Sequence, residues 1–171
     1  MKIEHNEVSI QCTGIAVVLL KKSNDEFKVL LLKRAAPPLK DEWCYIGGSI
    51  EAGEKAWEAA LREIEEETGI TKISLYITNK FDQFYSKTGN YIYIAPVFVG
   101  YVEGEQDVVL NEEHTAYKWL FFQEAKEIAL PGNDEVLGFI EKHFARKTPS
   151  KWLHIWGGDG CCINELMLHA H

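Results

Sequence analysis

The sequence predicts a single α/β (α+β) domain. Three observations lead there: apolar strand-like runs separated by turn clusters, one long helical segment with a clear stop signal, and a second helical pattern after residue 133. With 171 residues, 46% of them hydrophobic, the chain is long enough to bury one core.

The elements follow in order. Residues 8–21 are dense in Val, Ile and Leu without helical periodicity. Ser23-Asn24-Asp25 is a turn cluster and residues 27–33 form a second strand, so the pair reads as a hairpin. Pro37-Pro38 interrupts regular structure and opens a loop toward Trp43. Ile46-Gly47-Gly48 ends a short apolar stretch in a glycine-rich turn. Gly53-Glu54 opens a helix that runs to Thr68, with Gly69 just past its end. Residues 73–85 and 91–102 are strand-like, parted by a polar turn at 86–90. An acidic loop spans 104–113 and a short strand 117–122. Asn133 is read as the cap of a helix on which Val136, Phe139, Ile140 and Phe144 share a face. The domain is expected to occupy residues 1–146, with 147–171 a C-terminal extension of unassigned role. Trp152, Ile155 and Trp156 of that extension either form a homodimer contact or cover a sheet edge.

Composition excludes several classes of function. Lys and Arg total 18 against 26 Asp and Glu, a net charge of −8. A chain so acidic does not bind nucleic acid through counterion release, so no nucleic-acid partner is expected. Aromatic residues at 12% argue against disorder. The longest apolar run, 15–20, is far too short for a membrane helix. The start Met-Lys-Ile-Glu-His-Asn-Glu lacks the apolar stretch of a signal peptide. Cys12, Cys44, Cys161 and Cys162 have neither metal-ligand nor disulfide-scaffold spacing. They read as reduced thiols in a cytoplasmic protein, with Cys12 and Cys44 filling apolar space.

The helix up to Thr68 carries the strongest signal. At about 100° per residue, Trp57, Ala60, Leu61, Ile64 and Thr68 form one stripe, the expected core face. Glu63, Glu66 and Glu67 converge on another arc, shared with the small Ala56 and Ala59, which suggests room for a bulky approach. Two readings fit. One is a solvated acidic face, supported by Glu58, Arg62 and Glu66 at pairing distance along the helix. The other is a site for a hard divalent cation. Like charges at i, i+4 and negative charge in a last turn are both unfavourable without a counter-ion.

Gly48, Glu54, Arg62-Glu63-Ile64, Glu66-Glu67, Gly69 and Ile70 stand in the pattern G-x5-E-x7-R-E-U-x-E-E-x-G-U, where U is apolar. This resembles a complete nudix box, and the surrounding strands and helices resemble the nudix α/β/α sandwich with its mixed central sheet. The resemblance implies Mg²⁺-dependent hydrolysis of a nucleoside diphosphate linked to another group, with Mn²⁺ as a substitute metal. It implies Glu63, Glu66 and Glu67 as catalytic metal ligands, with Gly48 offering a carbonyl and Glu54 assisting the metal site or its loop. Arg62 would orient the glutamates. Glu63 is the first choice for the base that takes a proton from water; a ligand-only role is the alternative.

Outside the box, Glu113-His114-Thr115-Ala116-Tyr117-Lys118-Trp119-Leu120 resembles a stretch of nudix members acting on dATP-like triphosphates or dihydroneopterin triphosphate. It is also similar to one in dinucleoside-polyphosphate hydrolases. It implies Glu113 as a further metal ligand, a solvated loop glutamate being the alternative. Lys33 and Arg34 either bind substrate phosphates or form a solvated strand end. Tyr85 resembles a base-stacking tyrosine of dinucleoside-polyphosphate hydrolases. The expected activity is therefore a nucleoside triphosphate-like pyrophosphohydrolase acting on a small nucleotide. The rivals are a dinucleoside-polyphosphate hydrolase and a nucleotide-sensing module without turnover.

Overall fold

The structure is a computed structural model that describes residues 7–157. Cys161, Cys162 and most of the glycine-rich 157–160 stretch lie outside the described residues. The strands are β1 (Ser9–Gln11), β2 (Gly14–Ser23), β3 (Glu26–Arg34), β4 (Trp43–Cys44), β5 (Ile46–Ser49), β6 (Ile73–Ser86), β7 (Tyr91–Val102), β8 (His114–Phe121) and β9 (His154–Trp156). The helices are α1 (Ala56–Thr68), α2 (Phe122–Ile128) and α3 (Asn133–Ile140), the last continued by a wide turn over Glu141–Ala145. Among the described residues these strands form one mixed sheet, ordered β4-β3-β2-β7-β6-β9, with β1 on β7, β5 on β2 and β8 on β3.

The aliphatic run in β2 reads as continuous because both faces of the sheet are covered. Alternation sends Ala16, Val18 and Leu20 to one side, where Val136, Leu137, Ile140 and Phe144 close the layer. Ile15, Val17 and Leu19 go to the other side, against Ala59, Ala60 and Ile64 of α1. Each fully buried Leu or Ile contributes about 1.5–3 kcal/mol. The result is the expected three-layer α/β/α sandwich.

β2 changes partner along its length, and this makes room for a cleft. Leu20–Ser23 pairs with β3, whereas Gly14–Val17 pairs with β5. Both neighbours lie on the side of β2 away from β7, which pairs in parallel with Ala16–Leu20. β3 and β5 therefore part from each other, and the wedge between them opens toward the N-terminal end of β2.

Several local expectations change. The 8–21 stretch splits at Cys12-Thr13 into β1 and β2, and Cys12 is exposed rather than filling apolar space; Cys44 is buried. α1 starts at Ala56, not Gly53, because Gly53 adopts φ +81°, outside the helical region. Its first turn is held instead by Lys55 N–H donating to the Glu58 carboxylate at 2.8 Å. Its end is as expected: Gly69 at φ +70° donates its N–H to Glu65 O. Gly132 caps α3, and Asn133 is the first helical residue, buried rather than capping. α2 is too short to show periodicity in sequence. The segment after Arg146 turns over Lys151–Leu153 and adds β9 to the edge of β6. There Trp156 stacks on Trp57 of α1, ring centroids 6.1 Å apart.

Candidate active site

α1 lays its glutamates against β5. Glu63 and Glu67 are buried while Glu66 stays exposed. Ala59, expected to leave open room, is fully buried in the same apolar cluster as Ile46 of β5. Its small side chain lets the strand approach, not a ligand. Trp57 and Leu61 of the expected core stripe are only half-buried. Gly48 lies directly over Glu63, and a Cβ there would fall on the Glu63 carboxyl carbon.

Arg62 organises the cluster. Its Nε and Nη2 donate to both carboxylate oxygens of Glu54, at 2.9 and 3.0 Å. Nη2 also donates to Ser49 O at 2.8 Å, and Nη1 donates to Glu63 Oε1 at 2.8 Å and Glu66 Oε2 at 3.2 Å. One guanidinium thereby ties α1 to the β5 turn and to the loop that carries Glu54. Hydrogen bonds from Arg62 hold the Glu54 carboxyl below its ordinary value. Burial pushes Glu63 up, against the opposing pull of Arg62.

Glu67 is the most perturbed carboxyl. Burial first, then the charges of Glu63, Glu113 and Glu66, raise it from 4.5 to about 9, with Arg34 opposing. Its Oε2 has no hydrogen-bond partner among the described residues. His114 Nε2 stands 3.7 Å away, too far for a hydrogen bond. Burial and the Arg34 charge both depress His114, so it offers a neutral ring rather than a counter-charge. Glu113 sits on the exposed turn before β8, tied to the end of β3 by Ala35 N–H donating to its carbonyl at 2.8 Å.

These features fit a divalent cation. An orphaned, buried carboxylate oxygen surrounded by three further carboxylates is costly unless a positive charge joins it. Oxygen donors of this kind suit a hard cation. Among the described residues no three such side chains are already drawn together tightly enough to hold an ion, since Glu63 and Glu66 are turned onto Arg62.

A cleft of about 740 Å³ runs from Gly48, Arg34 and His114 to Phe84, Tyr93 and Asn133. Phe84 and Tyr93 stack with ring centroids 5.0 Å apart. Deeper in, Tyr45 Oη donates to Asp82 at 2.9 Å and accepts from Asn133 Nδ2 at 2.9 Å. A smaller, open cleft of about 440 Å³ near Lys22, Tyr76 and Arg146 contains no carboxylate and lies away from this cluster.

Glu54, Arg62, Glu63, Glu66, Glu67, Gly48 and Glu113 thus come together. Of Lys33 and Arg34, only Arg34 lines the cleft, and its Nε has no hydrogen-bond partner among the described residues. Lys33 pairs with Asp41 at 3.3 Å. Tyr85 does not line the cleft. It is 57% exposed and donates its hydroxyl to Asn90. Its neighbour Phe84 takes the wall position, because successive strand residues face opposite sides. Phe84, Tyr93, Tyr45, Asp82 and Asn133 were not legible as cleft residues in sequence, since strand register brings them together.

The fold and site define a class: an α/β/α sandwich that sets a glycine-backed cluster of helical glutamates beside a deep cleft. Residues 12–139 match the NUDIX domain. The chain is 33% identical over 119 residues to a Caenorhabditis elegans bis(5'-nucleosyl)-tetraphosphatase (asymmetrical), covering 66% of this chain and 81% of that one. It is 32% identical over 121 residues to the Escherichia coli dihydroneopterin triphosphate diphosphatase, covering 62% and 77%. The solved structure of a C. elegans Ap4A hydrolase binary complex superposes with a TM-score of 0.66 at 26% identity, covering 79% of this chain and 96% of that one. The chain belongs to the NUDIX family, and it is a nudix pyrophosphohydrolase. Hydrolases of this family generally use divalent metals such as Mg²⁺, and its relatives act on small nucleotides. Among the described residues no helix is long and apolar enough to cross a membrane.

Proposed function

We propose that the chain is a Mg²⁺-dependent pyrophosphohydrolase that cleaves a nucleoside triphosphate-like substrate, of the dATP or dihydroneopterin triphosphate class, to a monophosphate and pyrophosphate. The observation that carries this reading is the cleft: about 740 Å³, with one stacked aromatic wall, and lined elsewhere by Arg34, Gly48 and His114, of which Gly48 backs Glu63 and His114 neighbours Glu67. That volume suits one base or pterin ring with its sugar-like arm and phosphates.

Glu63, Glu66, Glu67 and Glu113, with the Gly48 carbonyl, would hold the cation. When bound, it supplies charge neutralisation to the phosphates and a more acidic water. Arg62 keeps Glu63 and Glu66 oriented by hydrogen bonds to one oxygen of each. Glu63 takes the proton of the attacking water at Oε2, the oxygen that Arg62 does not engage. Arg34 donates its buried Nε–H to a phosphate oxygen, which satisfies an otherwise partnerless group. Phe84 and Tyr93 form the wall on which the ring packs.

A dinucleoside-polyphosphate hydrolase is the second reading, favoured by the likeness to the C. elegans tetraphosphatase. Product identification with Mg²⁺ separates the two. The panel is dATP, other triphosphates, dihydroneopterin triphosphate, diadenosine tetraphosphate and ADP-ribose. Release of pyrophosphate from a triphosphate as the preferred reaction supports the proposal. Preferred cleavage of the dinucleotide into a nucleotide pair refutes it, and tight binding without turnover would make the chain a sensing module.

A further inference from the structure

Taking the cleft as the substrate site, as the proposed function does, we infer that the Asn133 side-chain carbonyl selects the substrate's ring. It accepts a hydrogen bond from an exocyclic amino group, so the ring is an amino-substituted purine or pterin. Asn133 lines the cleft and is only 8% exposed. Its Oδ1 is buried with no hydrogen-bond partner among the described residues. A buried acceptor in that condition is costly, and a donor carried by a ligand in the cleft relieves it.

A relay of side chains fixes which end of the amide is left for the ligand. The Asp82 carboxylate offers only acceptors, so the Tyr45 hydroxyl gives its one proton there, at 2.9 Å. Burial, and next the Asp82 charge, push the Tyr45 hydroxyl up, so it keeps that proton. Toward Asn133, Tyr45 Oη can then only accept. Of the two amide ends only Nδ2 can donate to it, as it does at 2.9 Å. Oδ1 is thereby turned away from Tyr45. The backbone is held as well: Asn133 N–H donates to Leu130 O at 2.9 Å, and Leu130 N–H donates to Trp43 O at 3.0 Å. The turn that carries Asn133 is therefore pinned to β4.

Position says which part of the substrate meets Asn133. Asp82 stands two residues before Phe84 on β6, and both line the cleft. The relay from Asp82 through Tyr45 therefore ends beside the aromatic wall, where the ring packs. Phosphates have no N–H to give and are drawn to Arg34 and the cation instead. Oδ1 is recessed, so the donor that reaches it projects from the ring, as an exocyclic amino group does. A ring that turns a carbonyl oxygen to the same place sets acceptor against acceptor and leaves both buried groups unpaired.

The test is calorimetric titration of the full chain with Mg²⁺, using dAMP and dGMP, each against its analogue lacking the exocyclic amino group (purine deoxyriboside monophosphate and dIMP). A monophosphate is a product under either reading of the reaction, so ring selection is measured apart from which bond is cleaved. In at least one pair the amino-bearing member is expected to bind ~10-fold tighter or more. The pair that responds tells an adenine-type ring from a guanine- or pterin-type ring. Asn133→Leu is expected to bind both members of that pair alike. Asn133→Asp, which keeps an oxygen acceptor in place, is expected to retain the preference. A merely structural role would weaken both members together and leave their ratio unchanged. Wild type that binds the members of each pair equally, or binds none of the four, overturns the proposal. So does a folded Asn133→Leu that keeps the wild-type ratio, or a folded Asn133→Asp that loses it. Should Asn133→Leu fail to fold, Tyr45→Phe frees the amide to turn and is expected to lower the ratio; an unchanged ratio there overturns the proposal.

Discussion

In metal-free protein, Glu67→Gln should stabilise the fold at alkaline pH and flatten its pH dependence. Glu67 is 1% exposed, and its carboxyl is raised from 4.5 to about 9 by burial and by the charges of Glu63, Glu113 and Glu66. The folded chain thus holds this proton more tightly than the unfolded chain does. The associated stability is fully present below about 4.5 and is lost as pH rises through about 9. The gap between the two values sets a ceiling of about 6 kcal/mol. Repulsion shared with neighbouring carboxylates reduces the expected loss to about 3 kcal/mol, or roughly 6–12 °C in Tm for a domain of this size. The assay is thermal unfolding in a chelator at about pH 5 and about pH 9, for wild type and Glu67→Gln. Added Mg²⁺ should restore wild type at the higher pH and do little for the variant. Parallel pH dependence in both proteins would refute the reasoning. Full Mg²⁺-dependent turnover by Glu67→Gln would refute the carboxylate assignment itself.

Three further outcomes test other parts of the site. Gly48→Ala places a methyl group on the Glu63 carboxyl, so turnover should fall by ~10²-fold or more while the melting curve stays cooperative; steady-state kinetics would show it. Phe84→Ala should raise KM by about tenfold with little change in kcat, and by more than Tyr85→Ala does, because Phe84 lines the cleft; equal effects would count against the stacking wall. Arg62→Lys keeps the charge but loses the two-pronged grip on Glu54 and the bond to Ser49 O. Stability should drop by about 1–3 kcal/mol in urea titration, and kcat should fall with it.

Much of the chemistry was legible before the fold was known. The spacing of Glu63, Glu66 and Glu67 and the stop at Gly69 are local properties of one helix, and helical periodicity is set by the backbone alone. Gly48 stood out as part of the same pattern, although its reason, the close approach of Glu63, is a packing fact. The hairpin of β2 and β3 was readable because a tight turn, with Asn24 at φ +56°, joins two aliphatic runs. α2 was not readable, since seven residues span too little of a helical period to differ from a strand end.

What the sequence by itself determined is therefore the acidic helix, the glycine that backs it and the class of reaction they resemble. The tertiary structure decided which residues surround that helix. Arg34 rather than Lys33 lines the cleft, and Phe84 rather than Tyr85 forms its wall. Both choices turn on strand alternation, in which one residue of register exchanges the two faces of a strand. The same alternation turns Phe81 and Tyr85 away from the cleft. Register depends on which distant segments pair, and that information is spread over the whole chain rather than held in any one motif.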